Sequence, residues 1–427
     1  MGRIYIKDAK PGNEVILRGW VDSIRDLGNL KFFILRDRSG KIQITAKKGI
    51  VSDKLLEFIE SLGREDCVEV KGKVIESKVA RAGIEVIPIS LKVLSTAEKP
   101  LPMEFSDVKS EKETRFEYRF LDLRNENISK LFWIRHKMVG YVHEYFRKQG
   151  FIEVHTPVIQ AAGAEGGATL FKVNYYGKDA FLRQSPQLYK QILMASGMDK
   201  VYEIGQAFRA EKFHTRRHVS EFLSVDAEIA WIDSEEDVLK VIEELVVYLL
   251  KACNRDDFFR EAGIKFNVPE IPFKRITYDE ALSMLEKEGI EIEWGKDFED
   301  KEEKILGDVL AKKGYEWCFI KRYPAKIKPF YIMMDNEYSR GFDFDYRGME
   351  LASGGQREHR YETLVKVMRE KGLRPENFKF YLDAFRYGMP PHGGFGLGLE
   401  RLIEQIMKLP DIKEIILFPR TPEQLVP

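Results

Sequence analysis

Strand-like runs dominate the middle of this chain and follow one another without regular intervening helices. They fall at Ala180–Arg183, Lys200–Phe208, Phe222–Trp231, Tyr315–Ile320, Phe330–Met334, Arg340–Tyr346 and Met349–Ser353. Successive parallel strands need a long crossover, usually a helix. The order therefore fits a largely antiparallel sheet with flanking helices better than a doubly wound parallel one. Apolar residues recur at helical spacing over Leu131–Gln149, Glu235–Cys253, Tyr278–Gly289, Arg357–Lys371 and Asn377–Tyr387. Gly150 stops the first of these ahead of the strand-like Phe151–His155 and Pro157.

The leading segment has a different rhythm. Residues 12–97 read as short strands at Glu14–Val21, Lys31–Asp37, Lys41–Thr45, Cys67–Ile75 and Ile84–Leu94, with a helix at Ser52–Leu62 between the third and fourth. This is the order of an OB barrel, whose open face binds oligonucleotides, and any small β barrel is the competing reading. The chain as a whole carries 69 basic and 69 acidic residues, yet residues 1–50 hold 11 Lys and Arg against 5 Asp and Glu. A basic leading module suits a polyanionic partner. Lys99-Pro100-Leu101-Pro102 and the charged stretch Asp107–Arg124 read as a hinge. The expected domains are residues 1–99, a linker at 100–127, and 128–427.

Cys67, Cys253 and Cys318 show neither paired nor zinc-ligand spacing, which fits a reducing compartment. No apolar run approaches the roughly 18 residues that span a bilayer, and no signal-like segment opens the chain. The expectation is a cytoplasmic protein with no membrane partner.

Two short stretches carry the chemistry. Phe208-Arg209-Ala210-Glu211 and Gly396-Leu397-Gly398-Leu399-Glu400-Arg401 each present an arginine. A guanidinium fork clamps phosphate oxygens as lysine cannot, so two arginines on separate elements can hold two ends of one triphosphate. With the segment ending at Pro157, the stretch Phe208–Glu228 and the stretch Gly394–Arg401, the chain resembles the class II aminoacyl-tRNA synthetases in all three signature motifs. Among them it is similar to the aspartyl enzymes of archaeal type. About 165 residues separate the second motif from the third, too few for the large insertion of common bacterial aspartyl enzymes. The resemblance implies an α+β protein: an N-terminal OB-fold anticodon-binding barrel and a class II catalytic domain, an antiparallel sheet flanked by helices.

It also implies ATP-dependent activation of an amino acid, whose carboxylate attacks the α-phosphorus with no protein nucleophile. Arg209 then bridges the α-phosphate and the reacting carboxylate, and Arg401 meets the γ-phosphate. Glu211 reads the adenine or the acceptor end, Phe222 stacks on the adenine, and Arg217 and His218 add contacts to the triphosphate. Mg²⁺ falls to Asp343, Glu350 and Ser353. Alternation puts Ser353 off the Glu350 face unless it lies past the strand end or a bulge intervenes, and Asp345 is expected to be solvated.

Aspartate and asparagine share a shape, so charge must separate them. The resemblance assigns Lys190 and Arg357 to the side-chain carboxylate, Asp226 to holding Lys190, and Ser185 and Gln187 to the substrate, Gln187 at its α-amino end. Glu165 belongs to a loop that closes over it. The loop Glu211–His218 resembles asparaginyl enzymes about as closely, which leaves asparagine activation as the alternative. In the barrel, Phe32 and Gln43 match residues that stack on and hydrogen-bond the central anticodon uridine, with Arg25 beside them. Strand alternation puts one of Phe32 and Phe33 in the core and the other on the open face, and Phe32 is expected to be the exposed one. The implied partners are tRNA(Asp), with tRNA(Asn) if the third anticodon base is not read, and a second copy of the chain. Discriminating relatives tend to carry Trp, and relaxed ones His, where this chain has Asp22.

Overall fold

The computed structural model describes residues 2–105, 110–161, 170–211 and 217–427; Glu165 and the loop residues 212–216 lie outside the described residues. The chain forms two compact units, Met1–Glu104 and Phe105–Pro427.

In the first unit, β1 (Glu14–Asp26), β2 (Leu30–Asp37), β3 (Gly40–Lys47), β4 (Cys67–Glu76) and β5 (Ile84–Ser95) close into a barrel in the order β1-β2-β3-β5-β4. Helix α1 (Asp53–Ser61) lies between β3 and β4, its N-terminus capped by Ser52, whose hydroxyl accepts from the Leu55 amide. The period of two sends Phe33, Leu35, Ile42, Ile44, Val68 and Val70 into the core and leaves Phe32 half-buried on the opposite face of β2. The strand order and that facing agree with the sequence reading. Strand β1 runs beyond Val21 through a bulge. Val21 pairs with Leu35 and Ser23 with Ile34, so Asp22 is the extra residue, and its carboxylate accepts from Arg36 and Lys41.

The second unit starts with α2 (Lys112–Glu117), α3 (Arg119–Asp122) and the long α4 (Glu126–Lys148), capped by Asn125 and ended by Gly150 at φ +77°. Next come β6 (Ile152–Glu153), a small sheet of β7 (Ile159–Gln160), β8 (Lys172–Tyr175) and β9 (Lys178–Leu182), then α5 (Gln187–Met194). The hairpin β10 (Lys200–Phe208) and β11 (Glu221–Ala230) leads into α6 (Glu236–Arg255), α7 (Asp257–Glu261), β12 (Lys274–Thr277), α8 (Tyr278–Lys287) and α9 (Asp300–Lys312). The rest is β13 (Trp317–Lys321), β14 (Met334–Asp335), β15 (Tyr338–Ser339), β16 (Gly341–Tyr346), β17 (Glu350–Gln356), α10 (Tyr361–Glu370), α11 (Lys379–Arg386), β18 (His392–Gly398) and α12 (Leu399–Met407). Eight strands form the main sheet in the order β12-β13-β16-β17-β18-β11-β10-β6. It is antiparallel except where β12 meets β13 and β6 meets β10, and α4, α6 and α12 share one core with it. The expected largely antiparallel sheet is present.

Three expectations need correction. Residues 110–124 of the charged stretch read as a hinge are folded into the second unit, and the boundary between the units falls at Glu104, near the start of the expected linker. Arg115 and Arg119 are buried: Arg115 donates to Asp122 and Glu414, and Arg119 to Asp122 and the carbonyls of Glu414, Ile416 and Leu417. Charges that satisfy one another in this way look solvated in a composition count. Phe330–Met334 is not a strand. Pro329 begins a turn closed by the Ile332 amide, and Phe330, Tyr331 and Ile332 pack into a core with α10 and α11. The helix expected from Arg357 begins at Tyr361, because Arg357 extends β17 past its end with its amide bonded to the His392 carbonyl of β18. No helix among the described residues is long and apolar enough to cross a membrane.

Candidate active site

The second unit holds a cleft of about 460 Å³. Strand β11 supplies Phe222 and Asp226, β17 supplies Glu350 and Ser353, α12 supplies Arg401, and α5 opens on Gln187. Arg209 follows β10 directly, its amide bonded to the Ser220 carbonyl, and its guanidinium lies 5.3 Å from the centre of the Phe222 ring. Arg401 Nη1 donates to the Glu350 carbonyl at 3.2 Å. Both arginines therefore face one cavity from different elements. Glu211, Arg217 and His218 also line it, with Arg217 held 3.5 Å from Glu303 and 3.7 Å from Asp300. Burial, and then the Arg401 charge, keep the His218 pKa below its ordinary value.

A bulge decides the geometry of the acidic side. Phe344 pairs with Ala352 and Asp345 with Glu350, which makes Leu351 the extra residue. Regular alternation would set Glu350 and Ser353 on opposite faces; the bulge puts both on the face shared by Asp343 and Asp345. Asp345 is buried rather than solvated, because this face is covered. Burial, with Glu303 adding to it, raises its pKa well above the carboxylate range. Burial and then the charge of Asp343 raise Glu350, while burial and then Glu350 push Glu303 up to about 8. Buried Lys328 donates to both oxygens of Asp343, at 2.9 and 2.7 Å. Hard oxygen donors resisting their own negative charge are what a small divalent cation relieves. Among the described residues no three side chains form a metal cage by themselves. The set suits Mg²⁺, which takes one or two carboxylates and completes its shell from phosphate and water.

At the other end the cations are tied to acids. Lys190 Nζ donates to Asp226 Oδ1 at 3.0 Å and to the Phe395 carbonyl at 2.9 Å, and lies 3.4 Å from Glu228. Arg357 grips Glu228 through Nε (2.9 Å) and Nη2 (3.2 Å), and Nη2 also reaches Gln187 Oε1 at 3.2 Å. All four charges are at least 97 % buried. Burial opposes the Glu228 charge, but Arg357 and Lys190 overcome it and hold its pKa below the ordinary value. Gly394 makes this possible, since a Cβ there would fall 2.1 Å from Glu228 Oε2.

Comparison with known proteins gives this arrangement a family. The model of class II tRNA synthetases (D, K and N) matches residues 111–422, and that of the OB-fold nucleic acid binding domain matches 15–94. The chain belongs to the class II tRNA synthetases of the D, K and N group. It is 48 % identical to an aspartate–tRNA(Asp) ligase of Pyrococcus abyssi, over 97 % of each chain. It is 46 % identical to an aspartate–tRNA(Asp/Asn) ligase of Methanopyrus kandleri, over 99 % of each. Among solved structures, an asparaginyl-tRNA synthetase from Pyrococcus horikoshii complexed with asparaginyl-adenylate superposes with a TM-score of 0.89 at 35 % identity, covering all of both chains.

Several site residues of this synthetase escaped the sequence. Glu228 lay inside the second motif without a distinguishing mark. Glu303 sits on α9, a helix too rich in charge for its apolar stripe to stand out. Lys328 offered one signal, a lysine directly ahead of the apolar run that follows Pro329. In the barrel, Arg25 pairs directly with Phe32 and Phe32 with Thr45, while Gln43 Nε2 donates to Thr45 and to Glu85 at 2.9 and 3.0 Å. Arg25, Phe32 and Gln43 thus occupy neighbouring strands.

One buried acid of the synthetase has a pH consequence. Glu404 on α12 is 3 % exposed, and its Oε2 has no partner among the described residues. Burial, and then Asp411, push its pKa up to about 7. A raised folded-state value means that its favourable contribution is complete below the unfolded value and is lost as pH rises through 7. Glu404→Gln is therefore expected to match the parent at pH 4 and to exceed it by about 2 kcal/mol at pH 8.5. Thermal melts at the two pH values check this; equal gains at both would refute it.

Proposed function

We propose that this synthetase is an aspartate–tRNA ligase, which activates L-aspartate with ATP and transfers it to the 3′ end of tRNA(Asp). The observation that carries the reading is the buried Lys190–Arg357 pair gathered on Glu228. Asp226 and Glu228 are taken up by Lys190 and Arg357, so the pair turns cationic donors toward what enters. A side-chain carboxylate satisfies them, whereas an amide turns an NH₂ toward cations.

Arg209 holds the α-carboxylate against the α-phosphate, with Phe222 under the adenine and Glu211, Arg217, His218 and Arg401 around the ring and the outer phosphates. The carboxylate oxygen attacks the α-phosphorus and pyrophosphate leaves. The terminal tRNA hydroxyl then attacks the acyl carbon and releases AMP. Glu350 and Ser353, with Asp343 behind them, would hold Mg²⁺, which neutralises the pyrophosphate oxygens. Ser185, Gln187 and Glu165 attend the amino acid.

ATP–pyrophosphate exchange with each amino acid tests the assignment, and exchange driven only by asparagine would reject it. The barrel reads the anticodon through Arg25, Phe32 and Gln43. Phe32→Ala is expected to raise the KM for tRNA about 10-fold or more, from a stacking contribution of about 1–3 kcal/mol, and to leave ATP–pyrophosphate exchange unchanged. An unaltered tRNA KM would remove Phe32 from the interface. Use of tRNA(Asn) as well is decided by charging both purified tRNAs. Sedimentation tests the homodimer, whose contact is assigned to α4 and β6.

A further inference from the structure

Gln184 is 4 % exposed, lines the cleft, and has neither its carboxamide oxygen nor its nitrogen bonded among the described residues. A buried amide left unpaired costs roughly as much as a lost hydrogen bond, so its retention calls for a partner that arrives later. The position narrows the choice. On one side, the Arg183 carbonyl accepts from the Phe208 amide, next to Arg209; on the other, the chain enters α5 with Gln187 and Lys190. Gln184 therefore stands between the arginine assigned to the α-phosphate and the pocket assigned to the side-chain carboxylate. The α-carbon of a bound amino acid, with its ammonium, has to lie across that span.

The neighbouring acceptors are already engaged. Gln187 donates to Gln191 and accepts from Arg357, and Asp226 accepts from Lys190 and Ser224. We infer that Gln184 is a positioning residue for the substrate, accepting from the α-ammonium through Oε1 and turning its NH₂ to the α-carboxylate. The inference rests on the aspartate reading above and adds a residue to it.

Gln184→Leu in the full chain tests it, with aspartate and with succinate, which keeps both carboxylates and lacks the ammonium. Calorimetric affinity for aspartate is expected to fall roughly 10- to 100-fold, the range of a hydrogen bond to a charged group. Succinate affinity should fall less, by the share of the bond to the α-carboxylate alone. The melting temperature of the ligand-free variant should hold or rise, since an unpaired amide has been removed, whereas a structural glutamine would lower it. Equal losses for the two ligands, an unchanged aspartate affinity, or a destabilised variant would each overturn the inference. Parent protein that fails to bind aspartate would instead sink the functional reading itself.

Discussion

Glu228→Gln is expected to be the most damaging conservative substitution in this synthetase, lowering stability by about 3–5 kcal/mol. The carboxylate is fully buried and takes two bonds from Arg357 and the field of Lys190. An amide of the same size presents one acceptor, turns an NH₂ toward a guanidinium, and leaves two buried cations against Asp226 alone. Breaking one partner of a buried ionic group costs far more than the group contributes when whole. Aspartate-dependent exchange should fall with it, because Arg357 loses the acid that aims it, while ATP binding is retained. The sign with pH is also fixed. A depressed folded-state pKa stabilises above the unfolded carboxylate value and is lost on acidification, so parent and variant should converge as pH falls below about 4. Denaturant unfolding at pH 7 and at low pH measures both, and a variant of full stability at pH 7 would mean that Glu228 is not the anchor.

That dependence explains what could be read ahead of the structure. The barrel was legible because period-two alternation runs along most of β1 to β5, interrupted by the bulge at Asp22 and by register shifts between β4 and β5. The arginines and Lys190 were legible because they sit in short stretches of distinctive spacing. Glu228 meets Arg357 across 129 residues of sequence, and nothing local to either marks the meeting. Strand β18 was hidden by its glycines, which weaken a strand signal and are needed because Gly393 and Gly394 lie against backbone and the Glu228 carboxylate. Asp345 and the helices α2 and α3 failed for a shared reason: charge in the sequence implies solvent, unless the fold brings counter-charges or burial strong enough to suppress ionisation.

The second large effect is kinetic and is expected with the fold intact. Arg209→Ala should reduce the turnover of ATP–pyrophosphate exchange about 10³-fold, the upper range for removing one preorganised donor from a developing anion. The guanidinium has its cation–π contact with Phe222 and faces the cleft, so the melting temperature should stay near that of the parent. Arg209→Lys separates charge from shape. It keeps the cation but loses the planar fork that spans two oxygens, and should recover only part of the loss. If the fork bridges the α-phosphate and the substrate carboxylate, both variants lower turnover far more than they weaken ATP binding, since the two anions are brought together only on the way to the transition state. A loss confined to ATP affinity would place Arg209 on the nucleotide alone, and a loss below tenfold would remove it from the reacting centre.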